Sequence, residues 1–171
     1  MATSGYTNSI GAQRLKHDLL SLKVNQTRLL DSIHAGCKFG EAHRYGEYVH
    51  INSSPLAPTA LTTSHSHPTE TGMARLSLSD ADKEIRNWFL STAKSLDCKT
   101  SIDQMGNLFA IRPGKNHSAP PIMMGSHLDT QPTGGRYDGI LGVNAGLEVL
   151  KILHDNNVET EGSIGVVNWT K

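Results

Sequence analysis

The chain has 171 residues, of which 37% are apolar, 19% charged and 5% aromatic. Sixteen basic residues balance sixteen acidic ones and no segment carries a block of one charge, which argues against electrostatic binding to nucleic acid or to an anionic membrane surface. No apolar run approaches the ~20 residues that cross a bilayer. Two distant cysteines, Cys37 and Cys98, form no CxxC pair and predict reduced thiols in a cytoplasmic chain.

The amino-terminal part of the chain predicts a helical lead-in. Residues 1–24 are expected to form a flexible terminus, and their acid-free start leaves mitochondrial targeting open as an alternative to a cytoplasmic location. Apolar residues between Leu15 and Ile33 fit one or two helices that stop near Gly36. Residues 52–72 are rich in Ser, Thr, Pro and His and predict a long irregular segment.

A further helix is predicted to begin after Ser79, because Ser79 and Asp82 fit the capping-box pattern and acids favour the positive end of a helix. Apolar residues then recur at helical spacing and predict one buried face: Ile85, Trp88, Phe89, Ala93 and Leu96.

The second half of the chain predicts a strand–helix–strand unit. Short strands are expected over residues 107–111, 121–125 and 163–169, the second of them buried, with a helix over residues 140–154. Such a unit within about 50 residues is typical of a parallel sheet covered on both faces. The predicted fold class is therefore α/β, a helical lead-in followed by a mostly parallel sheet. The buried stripe of the last helix is predicted to be Leu141, Ala145, Val149 and Leu153.

A glycine-rich loop lies between the second of these strands and the helix. Residues 134–142 read GGRYDGILG, at the position where nucleotide and phosphate loops are found. The spacing matches neither GxGxxG nor a P-loop, and glycines that form tight turns are the alternative reading. Tight turns leave the acid Asp138 in the middle of the loop unexplained.

The strand before that loop runs into His127-Leu128-Asp129. In an extended chain residues two apart point to the same side, so the Asp129 carboxylate is expected to meet one His127 ring nitrogen and leave the other for a metal. A turn can bring Asp138 back to the same strand end. Two interpretations stay open, a zinc site built on His127 and Asp138 or an ordinary satisfied His–Asp pair. His65 and His67 form a weaker candidate metal pair in the irregular segment.

Three long stretches of the sequence resemble a single family. They are TGMARLSLSDADK at 71–83, DQMGNLFAIRPG at 103–114 and MGSHLDTQPTGGRYDG at 124–139, and AHRYG at 42–46 resembles fungal members of the same group. From about residue 27 to residue 170 the chain closely resembles the N-carbamoyl-L-amino-acid amidohydrolases. That group includes β-ureidopropionase (β-alanine synthase) and the allantoate amidohydrolases, within the zinc aminoacylases and exopeptidases.

The resemblance implies a hydrolase of linear amide C–N bonds, which converts an N-carbamoyl amino acid or ureido substrate to amino acid, ammonia and carbon dioxide. It implies two divalent metal ions, zinc or alternatively manganese. His127 corresponds to a terminal ligand of one metal and Asp138 to the carboxylate that bridges both. Asp129 corresponds to the catalytic acid that orients His127. The resemblance assigns no substrate-binding residue in this chain.

The resemblance also implies that residues 25–171 are only the amino-terminal part of a catalytic domain. In the family, the strand at residues 164–170 continues into Asn-Glu-Glu, which supplies the general base and a ligand, whereas this sequence ends in Thr170-Lys171. The lid or dimerisation domain of a homodimeric family is absent as well. The 171-residue chain is therefore expected to be inactive and poorly soluble. The alternative is a non-catalytic product that pairs with a full-length homologue or is degraded.

Overall fold

The computed structural model describes residues 20–44 and 71–171. The predicted targeting segment, the His65 and His67 pair and nearly all of the irregular segment lie outside the described residues. The elements with described bounds are α1 (Gln26–Gly36), β1 (Glu41–Arg44), β2 (Thr71–Met73), α2 (Asp80–Lys94), β3 (Lys99–Ile102), β4 (Leu108–Arg112), β5 (Ile122–His127), α3 (Ile140–Asp155) and β6 (Ile164–Trp169). None of the helices in the described ranges is long and apolar enough to span a membrane.

The predicted α/β class is confirmed, and α3 connects two parallel strands as expected. The main sheet has the order β3-β4-β6-β5, and β5 runs parallel to β6 from Ile122 beside Ile164 to His127 beside Trp169. The pairs β3–β4 and β4–β6 are antiparallel, so among the described strands the sheet is mixed rather than mostly parallel. The β3–β4 pair is antiparallel because the turn at residues 103–107 can join antiparallel neighbours but is too short for a parallel crossover.

Helix α2 begins as its sequence predicts. The Ser79 hydroxyl accepts a hydrogen bond from the Asp82 amide at 3.2 Å, and the Asp82 carboxylate accepts one from the Leu78 amide at 3.0 Å. The carboxylate thus reaches one residue further back than in a standard capping box. Ile85, Phe89 and Ala93 are buried as predicted, and they pack in the common core.

Helix α3 buries Leu153 as predicted, but most of its buried face differs from the predicted stripe. Leu141 is 47% exposed and Ala145 is exposed, whereas the buried apolar positions are Ile140, Val143, Leu147, Leu150 and Leu153. Apolar residues surround most of this helix, so their spacing alone does not select the buried side. The buried side of α3 is the side that carries Gly146. A Cβ at Gly146 would lie 2.9 Å from Val166 Cγ2, so this side of the helix approaches the sheet too closely for a larger residue.

The core lies between the three helices and the main sheet, and it contains both cysteines as buried free thiols. Burial raises the pKa of the Cys98 thiol to about 11, which keeps it protonated at neutral pH. Strand β5 is the exception to the expected burial. Ile122 is 70% exposed, because β5 lies at the edge of the described sheet.

Candidate functional site

His127 is the last residue of β5, at the carboxyl end of the parallel pair, where α/β sheets place their sites. Its side chain is 11% exposed. The backbone of Gly139, the residue before α3, packs directly against its ring. A Cβ at Gly139 would lie 2.6 Å from both Cε1 and Nδ1 of His127, and Gly139 has a φ of +74°. Only glycine satisfies both the close approach and the left-handed conformation.

Asp129 contacts His127 through its main chain rather than through its carboxylate. The strand ends at His127 and the chain bends at Leu128, so the extended geometry assumed from the sequence does not reach Asp129. His127 Nδ1 lies 2.9 Å from the Asp129 carbonyl oxygen and 3.5 Å from its carboxylate Oδ1. Because a carbonyl oxygen can only accept, Nδ1 carries the proton and Nε2 keeps its lone pair. The Asp129 Oδ1 atom is buried and has no hydrogen-bond partner.

Asp138 faces the free nitrogen of the same imidazole. His127 Nε2 and Asp138 Oδ1 are 3.8 Å apart, and the Asp138 side chain is 76% exposed. Two ligands on one tetrahedral zinc ion are about 3.4 Å apart when each bond is about 2.1 Å. The structure therefore brings together all three residues that the sequence singled out, with two donor atoms near the separation that one metal requires.

The donor set in the described part of the chain is incomplete. Residues 20–44 and 71–171 contain no group of three or more His, Cys, Asp or Glu side chains that can hold a metal ion. A structural zinc site uses four protein ligands and a catalytic one at least three with a water. The pair formed by His127 and Asp138 thus fits part of a metal site, and its metal role stays a prediction.

Backbone groups of the glycine-rich loop form hydrogen bonds within the protein. Gly134 exchanges two backbone hydrogen bonds with Met73, at 2.9 and 2.8 Å. At the start of α3 the Ile140 amide donates to the Asp138 carbonyl at 2.9 Å, and the Leu141 amide donates to the Tyr137 carbonyl at 3.2 Å. These amides are therefore not directed at a bound phosphate. The geometry favours glycines that allow tight turns over a nucleotide-binding loop.

No sequence pattern indicated the residues that hold the bend after β5. Arg75 precedes α2 and its backbone exchanges two hydrogen bonds with Thr130, one to the Thr130 hydroxyl at 2.8 Å and one from the Thr130 amide at 2.6 Å. The Leu128 amide donates to the buried side chain of Asn168 in β6 at 2.8 Å. Arg75 and Thr130 both lie in stretches that carry the family resemblance, but no local spacing indicates that they touch.

No protein-family model matches the chain. Among curated proteins, it is 46% identical over 99 residues to an N-carbamoyl-L-amino-acid amidohydrolase of Rhizobium meliloti, a match that covers 58% of this chain and 24% of that relative. It is 34% identical over 91 residues to allantoate deiminase 1 of Glycine max, covering 46% of this chain and 19% of that protein. The chain therefore spans about a quarter or less of the length of these relatives.

Solved structures share the fold over most of the described chain. An amidase of the hydantoinase/carbamoylase family from Burkholderia multivorans superposes with a TM-score of 0.69 at 38% identity, covering 88% of this chain and 30% of that one. A relative of the same family from Burkholderia ambifaria gives a TM-score of 0.69 at 34% identity, covering 87% of this chain and 30% of that one. Aminopeptidase PepT from Bacillus cereus, with a TM-score of 0.57 at 15% identity, shares the fold alone.

Proposed function

We propose, on the premise that the chain is homologous to the N-carbamoyl-L-amino-acid amidohydrolase and allantoate deiminase group of hydrolases, that it forms part of the metal site of such an enzyme. The reaction is hydrolysis of a linear C–N bond in an N-carbamoyl amino acid or related ureido compound, which yields amino acid, ammonia and carbon dioxide. The substrate is a small molecule, and the active form is a homodimer.

The observation that carries this proposal is the 3.8 Å separation of His127 Nε2 and Asp138 Oδ1 beside an imidazole whose other nitrogen is already engaged. The Asp129 carbonyl fixes the ring orientation and the tautomer, so the Nε2 lone pair points out of the strand end. Asp138 is exposed and can adjust its carboxylate toward a shared cation. When bound, one or two divalent ions, zinc or manganese, supply the Lewis acid that activates water and polarises the scissile carbonyl.

Asp129 serves this arrangement from behind the ring. Its buried Oδ1 atom lies 3.5 Å from Nδ1 and has no hydrogen-bond partner, so a small rotation brings it onto the Nδ1 proton. A carboxylate in that place raises the basicity of the opposite nitrogen and strengthens its bond to a metal. We assign Asp129 this orienting role and assign His127 and Asp138 as the ligands.

The isolated chain is expected to bind metal weakly and to turn over no substrate, because its described residues offer two donors where a catalytic site needs at least three. The alternative function is that of a non-catalytic chain which pairs with a full-length homologue or is degraded. The presence of only two donors among the described residues favours this alternative for the isolated chain.

The metal part of the proposal is tested by calorimetric titration of the chain with Zn²⁺. His127→Ala is expected to weaken binding at least tenfold. The matched control is His117→Ala, which removes an exposed imidazole in the turn before β5, toward the opposite end of that strand from His127. Equal binding by the His127 variant and the wild-type chain would contradict the assignment of His127 as a ligand.

The catalytic part is tested in a chimaera, because the remaining ligands must come from a relative. Residues 71–171 of this chain replace the matching segment of the Rhizobium meliloti amidohydrolase, and ammonia release from an N-carbamoyl-L-amino acid is measured. The chimaera is expected to be active, and His127→Ala or Asp138→Ala is expected to lower kcat/KM by a factor of 100 or more, unlike His117→Ala. A folded chimaera that binds Zn²⁺ yet releases no ammonia would overturn the hydrolase proposal.

A further inference from the structure

We propose that Arg75 is a positioning residue for His127, holding the bend that selects the tautomer of the imidazole. The inference rests on the proposed function for the role of His127 as a metal ligand. The hydrogen bonds around His127 that it concerns are present without a metal.

Arg75 is a buried cation, and among the described residues its side chain donates to main-chain carbonyls. The residue is 1% exposed. Its Nε donates to the Leu128 carbonyl at 2.7 Å, and its Nη1 donates to the carbonyls of Gly36, at 3.1 Å, and Phe39. These acceptors come from two separate parts of the chain, the bend after β5 and the end of α1. One guanidinium therefore joins the strand end to the helix.

Burying a guanidinium without a carboxylate in its hydrogen-bond set is unfavourable, and an apolar side chain of similar volume fills such a space at lower cost. The position nevertheless suits arginine, because its donors diverge. Nε donates to the Leu128 carbonyl, while Nη1 donates to the carbonyls of Gly36 and Phe39. A lysine ammonium or an apolar side chain has no such fork of donors, so these contacts indicate a requirement for arginine.

The contacts of Arg75 enclose Asp129 from both sides. The side chain holds the carbonyl of Leu128, and the backbone holds Thr130 through two hydrogen bonds at 2.8 and 2.6 Å. With the residues before and after it fixed, Asp129 must direct its own carbonyl at His127 Nδ1, where it lies at 2.9 Å. The bend is thus the element that determines which imidazole nitrogen carries the proton.

Charge supports the same role. The Asp129 Oδ1 atom is buried and has no hydrogen-bond partner. Burial lowers the pKa of Arg75, and surrounding negative charges that include Asp82 and Asp129 oppose that shift. The Asp129 charge therefore favours a charged guanidinium beside the bend.

The test follows the His127 ring by long-range ¹H–¹⁵N NMR in the full 171-residue chain without metal. The wild-type spectrum is expected to show a single tautomer protonated at Nδ1. Arg75→Met is expected to give averaged tautomer signals, and Arg75→Lys, which keeps the charge but not the fork, is expected to give the same. The control is Arg112→Met, which removes a guanidinium that donates to the Val158 carbonyl at 2.9 Å, away from the site.

A folded Arg75→Met variant with the wild-type tautomer would overturn the proposal. If neither Arg75 variant folds, hydrogen exchange of the Arg75 Nε–H in the wild-type chain decides. Protection by a factor of at least 100 over free arginine is expected, and exchange at the free rate would reject the role. Titration with Zn²⁺ adds a second readout, where Arg75→Met is expected to lose about 10–100-fold in affinity. Absence of Zn²⁺ binding by the wild-type chain would count against the proposed function alone, since the tautomer readout requires no metal.

Discussion

At the residue scale, Gly139 contributes to the site because it has no side chain. Its φ of +74° is a conformation that residues with a Cβ rarely adopt, and its backbone lies against the His127 ring. The sequence marked this glycine as part of a loop with an acid in it. Its contact with a histidine twelve positions earlier became visible only in the folded chain.

We expect Gly139→Ala to lower the free energy of unfolding by about 2–4 kcal/mol, because it combines backbone strain with a collision against His127. Urea denaturation measures the change. The control is Gly162→Ala, where an added Cβ meets no atom within 4 Å and the φ is not positive. Equal unfolding free energies for the two variants would show that the close packing on His127 is not a constraint.

At the element scale, helices α1 and α3 are joined by an ion pair between a half-buried guanidinium and a buried carboxylate. Glu148 is 2% exposed and its carboxylate accepts two hydrogen bonds from the Arg28 guanidinium, both at 2.8 Å, and one from the Asn25 amide at 3.1 Å. Asn25 also caps α1, accepting a hydrogen bond from the Arg28 amide. Polar contacts therefore help to place the first turn of α1 on α3.

We expect Arg28→Ala to cost about 3 kcal/mol of unfolding free energy, because it leaves the Glu148 carboxylate buried and unpaired. The double variant Arg28→Met with Glu148→Leu is expected to recover to within about 1 kcal/mol of the wild type, since no charge then remains buried. Urea denaturation of both proteins gives the comparison. A double variant as unstable as the single one would show that the cost arises from lost packing.

An exposed ion pair provides a comparison for the expected cost of Arg28→Ala. Lys115 Nζ and Glu159 Oε2 are 3.5 Å apart and both side chains are exposed. Solvent screens such a pair, so Lys115→Ala is expected to change the unfolding free energy by less than about 1 kcal/mol.

At the scale of the whole molecule, the strand order leaves β5 with a free edge in the described sheet. Its partner β6 is buried over most of its length, whereas β5 exposes Ile122. An apolar strand with unpaired backbone groups is a template for pairing with another chain. The site residue His127 lies at the end of this same strand, so association along β5 would also cover the site.

We expect the isolated chain to associate as its concentration rises, as judged by sedimentation velocity. Ile122→Lys is expected to shift the distribution toward monomer, because a charge on an edge strand opposes pairing. Leu78→Lys serves as the control, since Leu78 is exposed but lies outside the strands. If both lysine variants are equally monomeric, association does not run along β5.

Sequence alone determined the features that depend on neighbouring residues. The cap at Ser79, the buried face of α2 and the limits of α3 and β6 follow from local hydrogen bonds and side-chain periodicity. The order of residues at a strand end was sufficient to bring His127 and Asp138 forward as a pair, and long motifs were sufficient to indicate a resemblance to the N-carbamoyl-L-amino-acid amidohydrolases.

Tertiary structure alone decided which surfaces meet. The antiparallel partners in the sheet, the buried side of α3 and the carbonyl that faces His127 Nδ1 depend on contacts between distant segments. Arg75 is the clearest case, because it contacts Leu128 more than fifty positions away and carries no local pattern. Periodicity and spacing describe one segment at a time. The buried face of a helix and the partners of a buried charge depend on which distant segments pack together.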